Sequence, residues 1–254
     1  MDWGRAKTVL ITAFLLLNIL LGQQLWMDEL KLSAFSEHAE RREEMERLLE
    51  LKRVQVTAAI PEDTPALSEI TVRLQERMEE PMLLAEPFPL HALGDAADVK
   101  ERLRTAIPQI DEYEADVYAF KPEKSVYVMN QMIQGLPMFE MRLELFAAQD
   151  KVNAYRLLAA DPGLSSADEA QVMEQETVLS AYTVLGSLAE SYFPEGAVVA
   201  DVRLGYHGPI FESDTQVLAP YWRIVLEAGD TYFVHAISGA VEGPSVWENQ
   251  ETAK

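Results

Sequence analysis

From Thr8 to Met27 the chain carries twenty residues without a single charged side chain, directly behind Arg5 and Lys7. At about 1.5 Å per residue such a run makes a helix of about 30 Å, the thickness of a bilayer's hydrocarbon core. Val9, Leu10, Ile11, Phe14 to Leu17, Ile19 to Leu21, Leu25 and Trp26 supply its apolar bulk. A chain built this way is expected to cross a membrane once and to fold its remaining residues on one side.

The flanks give the direction. Arg5 and Lys7 precede the run, and Asp28 and Glu29 follow it. The positive-inside rule puts residues 1–7 in the cytoplasm and everything after about residue 28 outside. Leu21-Gly22-Gln23-Gln24-Leu25-Trp26 offers no small-x-small cleavage site, so the run reads as a retained anchor and not a signal peptide. With no cysteine anywhere, there is no residue to acylate, no disulfide, no thiol nucleophile and no thiolate metal site.

Of 21 basic and 42 acidic residues, Arg5, Lys7 and Asp2 lie in the first 27 positions, which leaves a net charge of −22 on the rest. A surface of that sign repels phosphate, so nucleic acid and anionic headgroups are excluded as partners. The 227 residues beyond the span suffice for a packed core without covalent staples.

Residues 37–53 contain neither Gly nor Pro, and pair Glu37 with Arg41 and Glu43 with Arg47 at i,i+4. The apolar stripe is broken by charge, so a solvated stalk helix is expected rather than a coiled coil. β signals then dominate. Strands are expected at 54–60 and 69–75, a proline-rich loop through Pro81, Pro87 and Pro89, and a short helix over 95–107. An antiparallel meander follows at 115–120, 125–133, 138–147 and 152–159. Ser166-x-x-Glu169 resembles a capping box opening a helix that runs to about Phe193. Strands at 197–206, 221–227 and 231–237 close the chain, with Trp222, Ile224 and Leu226 on one face and Arg223 and Glu227 on the other. The expected class is α+β: one N-terminal membrane helix, then an antiparallel sheet with packed helices. The expected layout is a cytoplasmic N-terminus at 1–7, the span at 8–27, a juxtamembrane stalk at 28–55, the main domain at 56–247 and a tail at 248–254.

Catalytic signatures are missing. There is no Gly-x-Ser-x-Gly and no phosphate-cradling glycine loop. His38, His91, His207 and His235 are scattered, with no metal partner at helical spacing. His207 and His235 could meet across the C-terminal sheet. Acidic doublets such as Glu43-Glu44 and Glu79-Glu80 are what 42 carboxylates produce by chance. No catalytic residue, metal ligand or cofactor site is assigned, and a binding or regulatory role is expected.

Two blocks carry a resemblance. The first is Met1-Asp2-Trp3-Gly4-Arg5-Ala6-Lys7-Thr8 followed by Ala13 to Leu25. The second comprises Val202-Arg203-Leu204-Gly205-Tyr206, Pro220-Tyr221-Trp222-Arg223-Ile224 and Tyr232 to Gly239. Both resemble the YycI (WalI) family, which usually has Asn at the position of His235. The resemblance implies a single-pass protein of Gram-positive bacteria with its domain outside the cell. It also implies association with YycH and with the sensor kinase WalK (YycG), adjusting WalR-controlled cell-wall metabolism. An exported cell-wall enzyme, or a ligand- or wall-binding module without kinase contact, are the competing readings. Within the span, Asn18 and Gly22 lie one turn apart on one face. A polar side chain with a small neighbour is the pattern of a helix–helix contact, so these two are the candidate transmembrane contact residues.

Overall fold

The computed structural model describes residues 42–43, 45–121, 125–161 and 175–245. The expected membrane span, with Asn18 and Gly22, lies outside them. Among the described residues no helix is long and apolar enough to cross a membrane. The architecture is mixed α+β, dominated by one eleven-stranded sheet.

A helix over 45–51 (α1) leads into two short strands, β1 (Gln55–Val56) and β2 (Ala66–Leu67). Next come β3 (Ile70–Arg77), β4 (Met82–Pro89) and helix α2 (Ala96–Leu103). Asp95 caps α2, its carboxylate accepting from the N–H groups of Ala97 and Asp98. The meander follows as β5 (Tyr113–Lys121), β6 (Val126–Ile133), β7 (Leu136–Ala148) and β8 (Lys151–Asp161), each antiparallel to the next. A two-residue β9 (Glu176–Thr177) pairs with β2. Helix α3 (Ala181–Ser191) is followed by β10 (Val198–His207), β11 (Thr215–Leu226), β12 (Thr231–His235) and β13 (Val241–Ser245).

The two largest apolar cores among the described residues sit on the sheet. Alternation in β10–β12 turns Val202, Leu204, Trp222, Ile224, Tyr232 and Val234 toward α1 and α3, where they meet Met45, Leu49, Leu185 and Leu188. Trp222 Nε1 donates to the Leu179 carbonyl at 2.9 Å, so the largest side chain of this core leaves no donor unpaired. The second core places Val99 and Leu103 of α2 over Met129, Leu143, Leu145 and Leu157 of the meander. β3 joins the halves: its first residues pair with β11 and its last with β8. Gln131 seals the bulge that follows Asn130 by bonding both the N–H and the carbonyl of Ala160.

Several expectations need correction. The helix before β1 is not simply solvated, because Met45 and Leu49 are buried against α3. Of the strand expected over 54–60, Gln55–Val56 alone pairs, and it runs parallel to β10. The proline-rich segment is strand and not loop. β4 lies at an edge, paired with β8 alone and irregular between Leu83 and Phe88, where a residue without an N–H donor is tolerated. The C-terminal helix begins at Ala181, with Ser180 as its cap accepting from Thr183 N. Ser166 and Glu169 fall outside the described residues, and residues 175–180 are not helical. β11 starts six residues before the expected Tyr221 and runs through Pro220. The sheet is mostly antiparallel, with parallel pairings of β1 and of β7 against β10.

Candidate functional site: a charged seam behind the C-terminal sheet

Period-two alternation sends Asp201, His207, Tyr221, Arg223 and Phe233 to the face of β10–β12 turned away from α3. In an open sheet that face would meet water. Here it is closed by β5–β7, which bring Asp116, Asn130, Phe139 and Glu140 against it. Closure depends on Gly205. A Cβ there would lie 2.5 Å from the Pro137 carbonyl oxygen and 2.7 Å from the Phe139 ring, so a side chain has no room.

Arg223 is the centre of the seam and is 2 % exposed. Its guanidinium forks to both oxygens of Asp116, with Nη2 to Oδ1 at 3.0 Å, and donates from Nη2 to Asp201 Oδ2 at 2.8 Å. The Nδ2 group of Asn130 donates to Asp116 at 2.6 Å, and the Phe139 ring lies 4.7 Å from the guanidinium carbon. Burial by itself would hold the Asp116 carboxyl neutral, but the hydrogen bonds and charge of Arg223 outweigh it and lower its pKa. Burial likewise opposes the Arg223 charge, and Asp116 and Asp201 together raise its pKa. The planar, permanently charged fork suits this double carboxylate clamp in a way that lysine would not.

His207 forms a second cluster farther along the seam. Its ring stacks on Phe233 with centroids 3.9 Å apart and meets Tyr221 edge-on at 4.9 Å. Nδ1 lies 2.5 Å from Glu140 Oε1, and Nε2 lies 3.5 Å from Glu242 Oε2. The Tyr221 hydroxyl donates to Glu242 at 2.6 Å, and that bond helps tie β13 to the sheet. Burial disfavours the imidazolium, but Glu140 and Glu242 prevail and the His207 pKa is raised. The two carboxylates take opposite ring nitrogens, so with His207 they do not converge on one ion. Among the described residues no group of His, Asp and Glu is arranged to hold a metal.

The expected meeting of His207 and His235 is indirect. Tyr221 stands between them, with its ring centroid 5.0 Å from that of His235. His235 does something local: its Nδ1 accepts from the N–H groups of Ile237 and Ser238, both at 3.3 Å, and so caps the last turn. An asparagine oxygen makes the same kind of bond two or three residues on, so His and Asn can serve this position alike. His91 is exposed near α2, and His38 lies outside the described residues. Alternation puts Arg223 on the far face, and its burial comes from the strands β5–β7 that cover that face. The legible signal was a charged residue centred in a strand otherwise free of charge, Thr215–Leu226.

The seam presents charge clamps and a proton-binding histidine, not a nucleophile poised against a base. The scaffold is that of a helix-poor α+β protein whose polar groups hold two half-sheets together. The chain belongs to the YycI protein family, which matches residues 23–237. No curated protein matches it. Among solved structures, an uncharacterized protein from Eubacterium rectale is 11 % identical with a TM-score of 0.34, over 59 % of this chain. The match spans 56 % of the Eubacterium rectale chain. The Bacillus megaterium YpeB C-terminal domain is 12 % identical with a TM-score of 0.36, over 68 % of this chain and 70 % of that one. Likenesses at those scores carry no functional argument.

Proposed function

We propose that this protein is a membrane-anchored accessory regulator of the WalK (YycG) sensor histidine kinase. It acts with YycH to tune WalR-controlled cell-wall homeostasis through transmembrane and extracytoplasmic contacts. The observation that carries this reading is membership of the YycI family across residues 23–237, which ties the chain to regulation of the YycG/WalK two-component system rather than to catalysis. The uncharged run Thr8–Met27 and the Arg5/Lys7 versus Asp28/Glu29 asymmetry support a cytoplasmic N-terminus and an extracytoplasmic domain. Within the span, Asn18 and Gly22 are the proposed contact with the kinase's own membrane helices. An interhelical hydrogen bond there is worth roughly 0.5–2 kcal/mol.

The test is to exchange residues 8–27 for a generic leucine-rich anchor of equal length and to read WalR-dependent transcription. Loss of regulation with normal membrane insertion supports recognition through the span. Unchanged regulation moves recognition into the exported domain and removes Asn18 and Gly22 from the site.

A further inference from the structure

β10 is bonded along one edge to β11 from Val199 to His207, but its other edge is covered at the ends alone. β1 pairs there with Val198 and Val199, and β7 pairs with Tyr206. Between them, along Asp201 to Leu204, no strand among the described residues takes up the outward N–H and carbonyl groups. That leaves about 13 Å of open strand edge, the length of roughly four extended residues. An open edge is a template for another chain unless something blunts it.

This gap opens into a cavity of about 810 Å³, within the roughly 300–1,000 Å³ usual for ligand sites. Trp222, Leu136 and Met132 give it apolar walls, Arg203 stands on the open edge, and Asp63 and Glu114 also line it. Arg203 is loosely held for a cation in so acidic a protein, although its charge also acts on Asp116. Its one ion pair among the described residues is Asp201 at 3.8 Å, and the other oxygen of Asp201 is taken by Arg223 at 2.8 Å. Its side chain keeps 35 % of its exposure.

We propose that this cleft binds a free, short, zwitterionic peptide as an added strand between β1 and β7. Main-chain bonds to the open edge of β10 supply affinity, Arg203 takes the terminal carboxylate, and Asp63 and Glu114 favour the terminal ammonium. The occupant must be short and free because β1 and β7 close both ends of the gap, so a strand continuing in either direction collides with one of them. The inference does not rest on the kinase reading, and its test reads binding alone.

The probe is tetra-alanine, titrated against the full-length protein in mild detergent by calorimetry, beside its C-terminal amide and its N-acetyl form. Free tetra-alanine should bind, and capping either end should weaken it about tenfold. Amide exchange at residues 201–204 should slow in its presence. Arg203→Gln should lose the preference for the free carboxylate and Arg203→Lys should keep it, with both variants melting within about 2 °C of the parent. The proposal is overturned if tetra-alanine fails to bind at millimolar concentration, if capping leaves affinity unchanged, or if Arg203→Gln still discriminates acid from amide.

Discussion

Arg223→Ala removes the cation that clamps Asp116 and Asp201 inside the seam and leaves Asp201 with Arg203 at 3.8 Å. The Asp116 side chain is wholly buried and that of Asp201 is 10 % exposed, so neither can turn to water to replace the lost partner. Breaking a buried ion pair from one side costs about 3–5 kcal/mol, and here both stranded groups carry the same sign. A protein of this size loses roughly 2–4 °C of melting temperature per kcal/mol, so the midpoint should fall by roughly 10 °C. The pH dependence sharpens the test. The Asp116 pKa is lowered in the folded protein, so its stabilisation is present above the unfolded carboxyl value, about 3.9, and is lost as pH falls through the folded one. The deficit of the variant should therefore be largest near neutrality and shrink in acid. Adding Asp116→Asn to Arg223→Ala should recover part of the loss, since the amide removes a charge and keeps a partner for Asn130. Circular dichroism melts of the full-length protein at pH 7.5 and at about pH 3, below the unfolded carboxyl value, measure both effects. A neutral-pH loss under about 1 kcal/mol, or a deficit that ignores pH, would refute the buried clamp.

Other expectations follow from particular contacts. Gly205→Ala should destabilise by at least about 2 kcal/mol in urea titration, because its Cβ would press on the Pro137 carbonyl and the Phe139 ring. The His207 pKa is raised on folding, so the stability it contributes is whole below about 6.5 and is lost as pH rises through its folded value. His207→Gln should flatten that decline across pH 6 to 8 in urea unfolding, and an unchanged slope would place the titration elsewhere. A reporter fused after Lys254 should be active if it works outside the cytoplasm and silent if it requires the cytoplasm; the reverse pattern would invert the proposed topology. His235→Asn should leave the melting temperature within about 2 °C, since both residues can cap the turn to Ile237 and Ser238.

Local chemistry made much of this fold legible. The meander declared itself through Lys121-Pro122-Glu123-Lys124 and Gly135-Leu136-Pro137, and the face of Trp222, Ile224 and Leu226 through strict alternation. Other features depended on partners distant in the chain. β4 looked like loop because Pro87 and Pro89 signal loop to any local rule, and its edge position against β8 makes them harmless. The burial of Arg223 was not legible, because alternation says which face a side chain takes, not whether a second layer covers that face. Asp116, which pairs with it, lies 107 residues away. Gly205 carried no local warning, since the ring it accommodates belongs to Phe139. The open edge of β10 was likewise invisible, because it arises where β1 stops and β7 begins.

The measurement that bears most directly on the proposed regulatory role is co-purification from native membranes. Tagged full-length protein should recover the sensor kinase WalK together with YycH. The variant Asn18→Leu/Gly22→Leu should insert and accumulate normally yet recover less kinase. Recovery of wall fragments in place of kinase and YycH would contradict the account and establish a wall-binding module instead.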